Sequence, residues 1–200
     1  MNVDIKQPEI SSAPEWPLLD EIENRRSLRA YSDRPVEEEK IRTLFEAARW
    51  APSSMNEQPW VYLYAEKDHP ELWQRIFDTL NDSNKVWVKN APLLIVSLVR
   101  KNFTRFDKPN GSARYDLGAA NALLSVQATA LGLNVHQMGG YDKEKARTNL
   151  HVPDEYELGV VMAVGYPGSP DSLPEHLKQR ELALRVRYRQ SEFVFNNMFE

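Results

Sequence analysis

Three short stretches hold residue types whose spacing points to chemistry. Arg25-Arg26-Ser27-Leu28-Arg29-Ala30-Tyr31 sets three guanidinium groups and a hydroxyl beside the end of a helix-forming segment. Arginine forks match a phosphate dianion, and in an extended stretch alternate residues face one ligand; alone, such a stretch is more often a solvated basic turn. Pro52-Ser53-Ser54-Met55-Asn56-Glu57-Gln58-Pro59-Trp60 crowds hydroxyl and amide groups between a helical and a strand-like pattern. Loops of this composition commonly satisfy their own backbone groups, and they also reach ligands. Gly139-Gly140 lets a backbone N–H approach a ligand closely, or simply makes a turn.

Other chemistries find no support. The chain has neither phosphate-cradling glycine motif and no Gly-x-Ser-x-Gly nucleophile elbow. His69, His136, His151 and His176 lack the paired helical spacing of a zinc site, and cysteine is absent, so no metal site is expected. Glu37 to Glu39 sit where a helix dipole favours carboxylates, a sufficient reason for their presence. The net charge of -4 gives no pull toward nucleic acid, whereas basic residues gather around Arg25 to Arg34 and Lys178 to Arg189, which suits small anionic ligands.

Elements must position these residues. Pro17 opens a short helix that leads into Arg25, and Glu37 to Arg49 forms an amphipathic helix through Ile41, Leu44, Phe45 and Ala48. Val61 to Ala65 reads as a strand, Glu71 to Leu80 as a helix, and Leu93 to Val99 as a central strand apolar on both faces. Lys101 to Gly111 is an exposed loop or lid. Tyr115 to Leu131 is a helix nearly free of charge all round, which belongs at the centre of a structure, against a partner subunit included. A strand over Leu133 to Gln137, a helix over Asp142 to Leu150 and a buried strand over Leu158 to Gly165 follow. Pro167, Pro170 and Pro174 make an irregular connector, and Phe193 to Phe195 reads as a last strand. This order implies an α+β layered fold. With 200 residues, 42% hydrophobic and 27% charged, one domain over 18–200 is expected, with a C-terminal arm from 176. Residues 1–17 are read as a mobile extension that frays or lies along the surface. The apolar runs at 91–99 and 158–164 fall short of the ~20 residues of a membrane span, so a soluble, cytoplasmic protein with no membrane partner is expected.

In this order the pieces resemble the FMN-dependent nitroreductase family, from about Leu18 to Phe195. The likeness includes Asn84-Lys85-Val86-Trp87 ahead of Ala91-Pro92, the helix beginning near Asp116, Gly139-Gly140, and Val164-Gly165-Tyr166-Pro167. The resemblance implies a sheet sandwiched by helices in an intertwined homodimer, with FMN at each subunit interface. It implies that Arg25 and Ser27, with Arg26 between them, hold the FMN phosphate and ribityl chain, and that Arg29 lies near flavin N1, where positive charge favours the reduced form. Pro52, Ser53, Ser54 and Asn56 would reach the same flavin from the partner subunit. Asn84 would read the pyrimidine edge, the Gly139 and Gly140 backbone would face N5, and Arg187 and Arg189 would close on the phosphate. No side chain is expected to act as a catalytic acid or nucleophile. The implied reaction passes hydride from NAD(P)H through FMN to an electron-poor acceptor, a nitro compound or a quinone. Dehalogenation, enone reduction and a non-catalytic flavin-storage role are the alternatives within the same resemblance.

Overall fold

The strand over Leu93–Arg100 (β3) is buried from Leu93 to Val99, because it lies inside the sheet with helices on both sides. The computed structural model describes residues 8–106 and 108–198. Its main sheet runs β2 (Trp60–Glu66), β3, β5 (Tyr156–Gly165), β4 (Asn134–Met138) in space, and every neighbouring pair is antiparallel. Ile95 pairs with Tyr64 on one side and Met162 on the other, and Val135 on the edge strand β4 pairs with Val164.

Alternation along β3 sends successive residues to opposite faces. Leu93 and Ile95 join Ile41 and Leu44 of α2 (Glu38–Arg49) and Ala120, Leu124 and Ala128 of α5 (Ala113–Ala130). Leu94 and Val96 join Trp73 and Ile76 of α3 (Pro70–Phe77), Trp87 and Val88 of α4 (Asp82–Val88), Ala146 of α6 (Lys143–Asn149) and Leu177 of α7 (Glu175–Leu182). A sheet with helices on both faces is the expected α+β arrangement. The short α1 (Asp20–Asn24) leads into Arg25, as the sequence indicates. In α5 only Arg114 and Asp116 are charged, and Tyr115, Gly118, Ala122 and Leu123 line an exposed, uncharged outer face.

One expectation is corrected. Phe193 to Phe195 is not a strand: a 3-10 turn over Gln190–Glu192 precedes it and its side chains are exposed. The strand of this region is β6 (Arg187–Tyr188), paired antiparallel with β1 (Ile10–Ser11), so this part of the N-terminal segment lies along the surface. The proline-rich connector is irregular apart from a 3-10 turn over Pro170–Ser172, and α7, which the sequence pattern does not reveal, follows it with Pro174 at the N-cap. Among the described residues no helix is long and apolar enough to cross a membrane.

Candidate functional site

The Arg25 to Tyr31 stretch has no helix or strand of its own to satisfy its backbone, so neighbouring side chains do it. On β4, Asn134 accepts from Leu28 N–H at 3.2 Å and donates to Leu28 C=O at 3.0 Å; His136 Nδ1 donates to the same carbonyl at 3.0 Å. The buried Glu181 of α7 accepts Arg29 N–H at 2.8 and 2.9 Å and Ala30 N–H at 2.8 Å. Gly168 N–H donates to Ala30 C=O at 2.8 Å, and the buried Tyr31 hydroxyl donates to Ala163 C=O at 2.9 Å. A side chain at Gly168 would place its Cβ 2.5 Å from the Tyr31 carbonyl group, so only glycine admits this approach. Burial pushes the Tyr31 hydroxyl far up and the His136 imidazole down, leaving both neutral.

This pinned stretch presents Arg25, Arg26 and Ser27 to a cavity of about 240 Å³ that Arg180, Arg185 and Arg187 also line. Arg25 lies 3.3 Å from Ser27 Oγ through Nη1. Its guanidinium is pulled below its ordinary range by burial first and by the nearby charges of Arg185 and Arg187 second. None of Arg25, Arg26, Arg185 or Arg187 forms an ion pair with a described carboxylate. Arg185 donates to Arg25 C=O at 2.7 Å and also to Glu23 C=O, fixing the turn that aims Arg25. Arg26 donates to the Glu181 and Ala183 carbonyls at 3.1 and 2.9 Å, so it ties the end of α7 to the stretch while lining the cavity.

A second group forms where β4 ends. Asn84, on α4, donates through Nδ2 to Gly140 C=O at 3.0 Å, and Asn81 N–H donates to the same carbonyl at 3.2 Å. A Cβ on Gly140 would meet both amide groups at 3.1 Å, whereas nothing lies within 4 Å of the position of a Cβ on Gly139. One backbone face is therefore open at the end of the strand. Trp87, also on α4, stands 4.6 Å from the His136 ring and 6.0 Å from the Arg29 guanidinium, joining the two groups along the β4 edge.

Pro52, Ser53, Ser54 and Asn56 lie elsewhere in the chain. Ser54 N–H donates to the buried Asp116 in the first turn of α5 at 3.1 Å, and Ser53 Oγ accepts Gln58 N–H at 3.0 Å. Met55, Asn56 and Gln58 all have positive φ near 50°, a strained conformation that asparagine alone of the three tolerates readily. Leu28 is held at the start of β4, beyond the other end of α5, and roughly 22 Å of helix separate Asp116 from Leu131. Within one chain none of this loop lines the arginine cavity. Arg189 is also apart, since it pairs with Glu9 and Glu15 at 3.7 and 3.3 Å.

The supporting residues Asn134, His136, Glu181 and Arg185 escape a reading by motif. Only Arg185 had a signal, its place in the basic run before Arg189.

Residues 22–166 match the Nitroreductase family. The chain is 29% identical over 150 residues to the Archaeoglobus fulgidus protein named "Putative NADH dehydrogenase/NAD(P)H nitroreductase", covering 73% of this chain and 83% of that protein. It superposes with a TM-score of 0.88 on the crystal structure of an oxidoreductase containing FMN, at 32% identity over 94% of this chain and 96% of the other. A Desulfovibrio desulfuricans structure described as a nitroreductase in complex with FMN aligns with a TM-score of 0.71 at 25% identity, covering 94% of this chain and 100% of that one. With its helix-covered antiparallel sheet and its pinned arginine stretch, this chain belongs to the nitroreductase family.

Proposed function

We propose that the protein is an FMN-dependent oxidoreductase that takes reducing equivalents from NAD(P)H and delivers them to an electron-poor organic acceptor, a nitro compound or a quinone. The observation that carries this reading is the cluster of Arg25, Arg185 and Arg187 around one cavity with no described carboxylate paired to them, at one end of an edge whose other end is the open Gly139–Gly140 backbone. A phosphate suits the first end and a flat ring suits the second.

When bound, FMN supplies the hydride-accepting and hydride-donating chemistry. Arg25, Ser27 and Arg187 hold the phosphate, with Arg26 bracing the same wall. Arg29 keeps a permanent positive charge beside the ring, anchored through its backbone by Glu181. Asn84 and the Gly139 and Gly140 backbone line the ring's polar edge, and the Asn84 bond to Gly140 fixes their spacing. Pro52, Ser53, Ser54 and Asn56 complete the site from a second copy of the chain. The separation of this loop from the arginine cavity supports that sharing, as does the uncharged outer face of α5.

Equilibrium titration of the apoprotein with FMN and with riboflavin, which lacks the phosphate, tests the reading. The wild type is expected to prefer FMN strongly, and Arg25→Ala is expected to weaken FMN about tenfold or more while leaving riboflavin binding nearly unchanged. Equal affinity of the wild type for both flavins, or no uptake of either, contradicts it.

A further inference from the structure

Arg187 reaches the cavity from a strand of two residues, β6, whose only strand partner among the described residues is β1. So short a ladder does not hold itself in place. Around it, Arg189 N–H donates to Glu9 C=O at 2.9 Å, Glu9 N–H donates to Glu192 Oε1 at 3.1 Å, and Gln190 N–H donates to Glu15 Oε2 at 2.7 Å. The Arg189 guanidinium sits between the carboxylates of Glu9 and Glu15 at 3.7 and 3.3 Å. The next cavity outward is walled by 11–16 on one side and by Arg25, Arg185 and Arg187 on the other, so this segment stands directly behind the arginine cluster. Residues 9–16 and 185–192 lie outside 22–166, the part that matches the family.

We propose that residues 9–15 form a strap that holds Arg187 at the flavin phosphate, with Glu9, Arg189 and Glu15 as its clasp. Arg189 is on this account a positioning residue and not a phosphate ligand. The two carboxylates already compensate its charge, whereas no described carboxylate pairs with Arg25 or Arg187. The clasp is partly exposed, and each of its pairs alone is worth little, but they act together with the backbone bonds on one short ladder. The inference rests on the FMN reading given above.

The test compares the full-length wild type, Arg189→Gln, Arg189→Lys and the double variant Glu9→Gln/Glu15→Gln, each titrated with FMN and riboflavin. Arg189→Gln and the double glutamine variant should both weaken FMN, by about threefold to tenfold, with riboflavin affinity unchanged; Arg189→Lys, which keeps the charge between the two carboxylates, should retain most of the wild-type affinity. A fold that is merely loosened would lose both flavins together and so contradict the strap. If Arg189 touches the phosphate itself, removing its competing carboxylates tightens FMN binding, an opposite sign that overturns the proposal. Unchanged FMN affinity in the double variant overturns it as well. A wild type that binds FMN while the clasp variants behave like it refutes the strap alone; a wild type that takes up no flavin refutes both the strap and the functional reading.

Discussion

Burial first, and then the nearby guanidinium charges of Arg185 and Arg187, lower the Arg25 pKa, and no described carboxylate pairs with any of the three. Their mutual repulsion opposes folding, and an anion such as the phosphate proposed above would relieve it. His136 shows the complementary strategy: it is kept neutral so that its Nδ1–H can hold Leu28 beside that charge. Burial and the nearby Arg29 lower its pKa below the ordinary value of 6.5. As pH falls through that value the unfolded chain takes up a proton that the folded chain resists, so stability declines until the folded-state pKa is passed and is insensitive to this group at higher pH. Urea midpoints at pH 7.5 and about pH 5.5 check this: His136→Gln should lose less stability on acidification than the wild type, and an equal loss would contradict the burial argument.

At the scale of elements, the site depends on one irregular stretch being held by three regular elements. β4 contributes Asn134 and His136, β5 accepts the Tyr31 hydroxyl, and α7 contributes Glu181. Glu181→Ala would leave the Arg29 and Ala30 N–H groups without their acceptor in a buried setting, at a cost of about 2 to 4 kcal/mol. Chemical denaturation measures that loss, and a change below about 0.5 kcal/mol would mean that the stretch is held by other contacts. The same elements show what the amino-acid pattern conveys. α2, α5, β3 and β5 are legible because their apolar periodicity matches their burial, and the Arg25–Ser27 and Gly139–Gly140 segments are legible by type and spacing. α4 and α7 are not. In α4 the core is met by the adjacent Trp87 and Val88, which make no helical stripe, and in α7 one of the two buried positions is the carboxylate Glu181. The β1–β6 pair is equally hidden, since its strands have two residues each and join distant parts of the chain.

For the whole molecule, the flavin site proposed above takes two chains. The chain exposes 12721 Å², against about 9,700 Å² for a compact monomer of this mass. Much of the apolar part lies on the last segment, where Leu184 is 83% and Met198 89% exposed, and on Tyr115 of α5, 81% exposed. A two-fold dimer that buries the outer face of α5 would bring the Ser53–Asn56 loop of one chain toward the arginine cavity of the other and create two equivalent sites. Sedimentation should therefore give a dimer carrying two flavins; a monomer holding one tightly bound, reducible flavin would separate the Pro52 to Trp60 loop from the site.

The most direct test of the central claim is an anaerobic visible spectrum of the FMN-loaded protein during titration with NADH or NADPH, followed by a nitroaromatic or quinone. The flavin absorbance should be bleached by at least one of the two nicotinamides and return when the acceptor is added. A bound flavin that neither nicotinamide bleaches, or one that no such acceptor re-oxidises, would contradict it.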